Sequence, residues 1–212
     1  MSFKGQIMPT WETHIEIAKR VAKHLKLNNE EKEEYLLANL LPDINCAYAI
    51  KDVSKVIDHK YTHYNNFLEF YIQNKKYMNE ITTFGYFSHL FSDYIWNSNF
   101  YTKKIKDFDI SKFTKDELRF LKQNDFRFYN NLYSNNSIKI KDLNKFVAKI
   151  KNLNRISLNT KDLEKTLSYI NNNEYVIDNI ELNFYTKEEL ENLCNETVDK
   201  ILEFKEKIID KN

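Results

Sequence analysis

A histidine and an aspartate stand four residues apart in an otherwise apolar stretch, residues 86–96, which reads YFSHLFSDYIW. On a helix, side chains at this spacing lie one above the other with Cβ atoms about 5–6 Å apart, so His89 and Asp93 could both bind one metal ion. Imidazole and carboxylate are ordinary zinc ligands. The same spacing also fits a simple hydrogen bond between the two side chains, which is the commoner arrangement when the spacing alone is considered.

The first helix offers a second candidate. His14 precedes Ala18 and Val21 by four and seven residues, which places it on the buried stripe of a predicted helix in TWETHIEIAKRVAKHLKL. A single histidine on an apolar face is more often a hydrogen-bonded core residue than a ligand. His24 lies about 80° further around the same helix, so we expect it at the surface.

Two further stretches place polar side chains beside apolar helices. In NLLPDINC, Asp43 follows Pro42 directly, and the proline is expected to end the preceding helix near Leu41. The Asp43 carboxylate could cap the next segment, or a loop could carry it into a site between helices. In IDHKYTHYNNF, His63 is the better ligand candidate because apolar residues follow it at helical spacing, whereas His59 could orient a ligand or be exposed.

Together these four segments supply three histidines and two carboxylates, which are His14, Asp43, His63, His89 and Asp93. Burial of such groups without a cation between them would leave their charges and donors poorly paired. The sequence therefore predicts a metal centre.

Gly85 lies one turn before His89, in a chain that has only two glycines. A glycine inside a helix costs about 1 kcal/mol relative to alanine, so its presence there needs a reason. The bare backbone could let a substrate approach, or it could allow tight helix–helix packing.

The elements that must position these side chains are helices. Breakers are rare, with two glycines and two prolines in 212 residues, and apolar residues recur at helical spacing. Further helices are predicted from about 63 to 76 and from about 79 to 97, and only residues 172–185 could hold a strand or an irregular loop. The fold class is all-α, a multi-helix orthogonal bundle around a metal centre. Capping-box patterns predict three helix starts, in the pairs Asn28 with Glu31, Thr114 with Glu117, and Thr186 with Glu189.

Length and composition predict one domain over residues 1–212, with a metal-ligand half at about 9–98 and a C-terminal helical half at about 112–210. The 32 basic and 31 acidic residues are interleaved and leave a net charge of +1, so no nucleic-acid patch is evident. No apolar run has the length of a signal peptide or a membrane span, which indicates a cytoplasmic protein without a transmembrane segment. Cys46 and Cys194 are expected to be unpaired thiols, and the oligomeric state is open.

The order of these residues resembles that of the zinc-dependent phospholipase C family, a helical superfamily that also includes fungal single-strand nucleases. The similar pieces are THIEIA, NLLPDI, THYNNF and GYFSHLFSDYIW, and they cover roughly the first hundred residues. The C-terminal half is similar only in being helical. The resemblance implies one or two zinc ions and hydrolysis of a phosphoester by metal-activated water.

The resemblance also implies roles for single residues. Asp43, His63, His89 and Asp93 would hold one zinc, while His14 and the shared carboxylate of Asp93 would help to hold a second. Asp43 stands where the family places its proposed general base, so it is the catalytic candidate.

Two departures from the family pattern limit the expected site. The larger members supply a further histidine and a His-x3-Glu pair, whereas no histidine follows position 89 in this chain. They also bind metal through an N-terminal tryptophan, and Trp11 here is internal. A centre with one or two metal ions is therefore expected.

Two other classes remain open beside this one. A phosphohydrolase of the HD type needs adjacent histidine and aspartate, and this chain has Pro42 and Asp43 at the corresponding place, which argues against that class. A non-catalytic helical protein with a structural or decayed metal site is the main alternative, because four protein ligands could close the coordination shell of zinc. The expected substrate is a small phosphoester or a phospholipid, and no lipid-docking loop stands out in the sequence.

Overall fold

The structure is a computed structural model that describes residues 9–64, 66–132, 137–151, 153, 157–172 and 181–210. Within these ranges the chain forms α-helices and no strand, which confirms the all-α prediction. A 3₁₀ turn follows α4, a π turn and a 3₁₀ turn follow α5, a π turn follows α9, and a further 3₁₀ turn lies at Ile110–Lys112. The helices are α1 (Trp11–His24), α2 (Asn29–Asn45), α3 (His59–Thr62), α4 (Phe67–Asn74), α5 (Ile81–Asn99), α6 (Lys115–Leu132), α7 (Leu143–Ile150), α8 (Thr160–Asn172) and α9 (Lys187–Phe204).

The three predicted capping boxes are present. In the first, the Asn28 side chain accepts a hydrogen bond from the Glu31 amide, and the Glu31 side chain accepts one from the Asn28 amide, both at 3.0 Å. The same reciprocal pairs begin α6 and α9. Each pair satisfies amide donors that a helix start leaves without an intrahelical partner.

Helices α2 and α5 pack closely, and Gly85 makes the contact possible. A Cβ atom at this position would lie 2.7 Å from the Ala38 Cβ, 2.9 Å from the Tyr35 carbonyl oxygen and 3.2 Å from the Asn39 amide nitrogen. The Asn39 side-chain amide also donates to the Gly85 carbonyl at 3.2 Å. Of the two explanations for this glycine, the structure therefore favours helix–helix packing over access for a substrate.

Helix α2 continues through Pro42 to Asn45, so the expectation that the proline ends the helix near Leu41 is wrong. A proline inside a helix removes its own amide donor and crowds the carbonyl four residues earlier, at a cost of about 3 kcal/mol. Leu41 and Ile44 are fully buried, and burial of two such side chains, at about 1.5–3 kcal/mol each, offsets this cost. The chain leaves the helix direction at Ala47, whose φ of 59° is left-handed.

The helix predicted from about 63 to 76 begins later, as α4 at Phe67, and a separate short helix, α3, ends before it at Thr62. Asp58 caps α3 by accepting a hydrogen bond from the Lys60 amide, and Asn66 caps α4 by accepting one from the Glu69 amide. His63 lies in the turn between them, so α3 rather than α4 positions it. Residues 173–180, the larger part of the segment expected to hold a strand or loop, lie outside the described residues, and 181–186 form neither helix nor strand.

The last helix, α9, packs against both α1 and α5. The Arg20 guanidinium on α1 donates to Glu191 and to Asn195 on α9, both at 2.6 Å. The Trp96 indole on α5 donates to the Thr197 hydroxyl at 3.1 Å. The C-terminal half thus braces the two helices that carry three of the candidate ligands.

Two sequence expectations concern features outside the site. Cys46 and Cys194 are free, as expected, and both are buried. Among the described helices, none combines the length and the apolar character that crossing a membrane requires.

Candidate metal centre

Four segments bring the five predicted ligands together in one buried cluster. Helix α1 supplies one, α2 supplies one, the turn after α3 supplies one and α5 supplies two. Each of the five side chains belongs to a residue that is at most 7% exposed. The five are His14, Asp43, His63, His89 and Asp93.

The first part of the cluster joins α1 to α5. His14 Nε2 lies 3.2 Å from Asp93 Oδ1, and His89 Nε2 lies 3.4 Å from Asp93 Oδ2. The imidazole rings of His14 and His89 stack with their centroids 3.8 Å apart. In this group of three, one ligand atom from each residue lies within 4.8 Å of the others.

The second part joins α2 and the turn after α3 to the same helix. His63 Nε2 is 3.5 Å from Asp43 Oδ1, and His89 Nε2 is 3.9 Å from the same oxygen. His63 Nε2 also lies 3.7 Å from Asp93 Oδ2. The ligand atoms of Asp43, His63 and His89 again lie within 4.8 Å of one another, so His89 belongs to both groups.

Several polar atoms in this cluster have no hydrogen-bond partner among the described residues. They are both ring nitrogens of His14, Nδ1 of His89 and both carboxylate oxygens of Asp93. His63 Nε2 and His89 Nε2 face each other at 3.1 Å, a contact that needs a proton on one of them. Because unpartnered buried polar atoms are costly, a cation shared by these donors would resolve the arrangement. Three imidazoles and two carboxylates are a donor set that fits zinc.

The orientation of His63 follows from two residues that the sequence analysis did not single out. The Thr62 hydroxyl donates to the His59 carbonyl at 3.2 Å, so its oxygen accepts from His63 Nδ1 at 2.8 Å. A proton on Nδ1 leaves the lone pair of His63 Nε2 directed at the cluster. The Tyr86 hydroxyl donates to the Thr62 carbonyl and ties this turn to α5. Thr62 could have been recognised from the sequence as a polar residue adjacent to a candidate ligand, His63. Tyr86 could not, because it lies in an apolar stretch and resembles an ordinary core residue.

The protonation states suit metal binding. Burial alone would raise the pKa of Asp93, but the nearby His89 and His14 lower it more, and the net shift is downward. The pKa of Asp43 is also lowered, because His89 and His63 outweigh the effect of burial. Burial and then His14 lower the pKa of His89. At neutral pH the carboxylates are therefore ionised and His89 is neutral, as metal ligands must be.

His59 packs on the outer side of the cluster and is not part of either group of three. Its ring stacks on His63 with centroids 3.7 Å apart, and the Tyr48 ring covers it at 5.2 Å. Burial, followed by the proximity of His63, lowers the pKa of His59 to about 4. Of the two roles considered for His59, this position favours support of a ligand. His24 is exposed, as expected.

Trp11 is the first residue of α1 and is buried. Its ring meets that of Tyr169 on α8 edge to face, with centroids 6.0 Å apart. The tryptophan therefore packs against the C-terminal half, in agreement with its internal place in the sequence.

A family model described as zinc dependent phospholipase C matches residues 13–205. All five candidate ligands lie inside the matched range. The match also covers the C-terminal half, which the sequence motifs had related to this family only through its helices. No curated protein and no solved structure matches the chain.

Proposed function

Because the chain belongs to the zinc dependent phospholipase C family, we propose that it is a zinc-dependent phosphoester hydrolase. The observation that supports the proposal most directly is the buried cluster, in which ring nitrogens and carboxylate oxygens converge and lack hydrogen-bond partners among the described residues. Structural ion pairs rarely leave such atoms unsatisfied. A site that holds a metal accounts for them.

The two oxygens of Asp93 suggest how ions would be divided. Oδ2 faces His63 and His89, at 3.7 Å and 3.4 Å, whereas Oδ1 faces His14 at 3.2 Å. We assign His63, His89, Asp43 and Asp93 Oδ2 to one zinc. His14 and the other carboxylate oxygen of Asp93, Oδ1, would help to hold a second.

Bound zinc would lower the pKa of a water molecule, so that hydroxide is available as a nucleophile at neutral pH, and would offset negative charge on a phosphoryl group. The protein's own contribution is to hold the donors in fixed positions and to limit access of bulk water. Asp43 is the proposed general base, because its carboxylate is ionised at neutral pH and lies 3.5 Å from His63 Nε2. The turn containing Thr62 holds the imidazole of His63 in the tautomer that keeps Nε2 free of a proton.

The near-complete burial of the cluster favours one competing proposal, a structural zinc site with no turnover. Asp43, His63, His89 and Asp93 could by themselves provide the four protein ligands of a closed site. A catalytic site keeps a position for water, so the two proposals differ in activity and not in zinc content.

The test is zinc content together with turnover. Purified protein is expected to hold at least one zinc per chain by elemental analysis, and a chelator should abolish hydrolysis of nitrophenyl phosphorylcholine until zinc is returned. His89→Ala and Asp93→Ala should lose zinc, while the exposed His24→Ala should keep it. Equal zinc in all three variants would refute the site. Bound zinc without turnover of phosphodiesters or phosphomonoesters would leave the structural alternative.

A further inference from the structure

The chain between Asp43 and His63 carries three large hydrophobic side chains that are exposed to solvent. In the segment of residues 46–61, Tyr48 is 52% exposed, Val56 is 61% exposed and Tyr61 is 50% exposed. This segment connects two of the proposed ligands, so its outer surface borders the metal cluster. Single exposed apolar residues are ordinary, but three on one connection beside a candidate active site need an explanation.

The exposure of Val56 is fixed by the main chain around it. The Ser54 amide and hydroxyl both donate to Asp162 Oδ1 on α8, at 2.8 Å and 2.6 Å. The Ile57 amide donates to the Asn45 carbonyl at 2.8 Å. Val56 lies between these two attachments and points away from the core, so the fold itself presents this side chain to solvent.

Tyr48 is attached in the same manner and reaches the cluster. Its amide donates to the Asp43 carbonyl at 2.9 Å, at the point where α2 ends. Its ring lies 5.2 Å from that of His59 and 6.4 Å from that of His63. One face of Tyr48 therefore covers the histidines while the remainder meets solvent.

Lysines accompany the exposed side chains. Lys51 Nζ lies 5.9 Å from the centre of the Tyr48 ring, and Lys60 Nζ lies 4.8 Å from that of Tyr61. Lys55, beside Val56, is exposed as well. The segment also contains two aspartates. Asp52 pairs with Lys165 on α8, and Asp58 caps α3. Three lysines of the segment stand against two aspartates, and α8 adds one lysine, Lys165, and one aspartate, Asp162, so the surface has an excess of one positive charge.

We propose that the 46–61 segment docks on an anionic lipid surface and brings a phospholipid to the metal cluster. Tyrosine and lysine side chains are suited to the boundary between headgroups and acyl chains, and basic residues are attracted to anionic lipids. The choice of a phospholipid as substrate rests on the proposed function. No such loop stands out in the sequence, because the three side chains are eight and five residues apart and only the fold leaves them all exposed.

The test is sedimentation of the zinc-loaded protein with vesicles of phosphatidylcholine, with and without phosphatidylglycerol. Val56→Asp should weaken binding by about tenfold or more, since it removes the most exposed of the three apolar side chains of the segment and adds a negative charge. Lys55→Ala should weaken binding to the anionic vesicles by about fivefold. The matched control is Ile110→Asp, because Ile110 is 46% exposed but lies between α5 and α6.

A second readout separates docking from catalysis. Val56→Asp should hydrolyse the soluble nitrophenyl phosphorylcholine as fast as the wild type, and it should lose activity only on vesicle lipid. Unchanged vesicle binding in Val56→Asp, or a loss as large in Ile110→Asp, would overturn the docking proposal. Equal wild-type binding to both vesicle types would overturn the anionic assignment. Normal vesicle binding without hydrolysis of either substrate would overturn the proposed function and support the docking surface.

Discussion

The substitution Gly85→Ala tests whether contact between α2 and α5 sets the geometry of the metal cluster. The added methyl group would lie 2.7 Å from the Ala38 Cβ and 2.9 Å from the Tyr35 carbonyl oxygen. Ordinary carbon contacts are about 3.5–4.0 Å, so the helices must separate by roughly 1 Å at this point. Neither of these atoms is the end of a flexible side chain, so neither can turn away.

The expected change in stability is a balance of opposing effects. Alanine is favoured over glycine in a helix by about 1 kcal/mol. Overpacking costs about 1–3 kcal/mol, and a weakened hydrogen bond from Asn39 to the Gly85 carbonyl costs about 1 kcal/mol more. We therefore expect the free energy of unfolding of the metal-free protein to fall by roughly 1–3 kcal/mol.

The same displacement should reach the zinc site. Asn39 lies one turn before Asp43 on α2, and Gly85 lies one turn before His89 on α5. A shift of roughly 1 Å is half the length of a zinc–ligand bond, so zinc affinity should fall by about tenfold or more.

Urea denaturation measures the change in stability, and competition with a chelator measures the change in zinc affinity. The double variant with Ala38→Gly removes the shortest contact and should recover part of the lost zinc affinity, while the new glycine in α2 itself costs about 1 kcal/mol of stability. A Gly85→Ala protein that is more stable by about 1 kcal/mol, the outcome of helix propensity alone, would refute the close contact.

Two further predictions concern side chains behind the site. Tyr86→Phe removes the donor to the Thr62 carbonyl and should lower zinc affinity by about tenfold in the same chelator competition, because the turn that orients His63 loses its tie to α5; unchanged affinity would contradict this role. Burial lowers the pKa of Lys122 from 10.5 to about 7. Between pH 7 and pH 10.5 the unfolded chain therefore binds more protons than the folded protein. The free energy of unfolding should rise in this range by up to about 1.4 kcal/mol per pH unit. Urea titrations should show a shallower rise in Lys122→Met, and parallel curves would contradict the assignment.

The cluster residues could be predicted because each lies in a short motif whose local structure limits its direction. The spacing of His89 and Asp93 matters only on a helix, and the apolar residues around them fixed that helix. Tyr86 could not be recognised in the same way. Its role depends on a hydroxyl that reaches Thr62, 24 residues earlier in the chain, and only the packing of α5 against the turn after α3 creates that contact.

Two errors in the helix bounds have different physical origins. Proline disfavours the interior of a helix, so Pro42 predicts a helix end. The burial of Leu41 and Ile44 stabilises the helix through this position, and the extent of that burial cannot be predicted from the sequence. The break between α3 and α4 did leave a signal. Asn66 stands three residues before Glu69, the same pattern that located other helix starts. It marks the beginning of α4 and excludes a helix that starts at His63.

The position of α9 has a consequence for how the protein is made. A chain leaving the ribosome exposes all five cluster residues well before α9 has been synthesised. Yet α9 supplies the partners of Arg20 on α1 and of Trp96 on α5. A nascent chain thus has every ligand but lacks the last support of the helices that carry them. We therefore expect an unfinished chain to bind zinc more weakly than the finished protein, because the cluster gains its last support only when translation is complete.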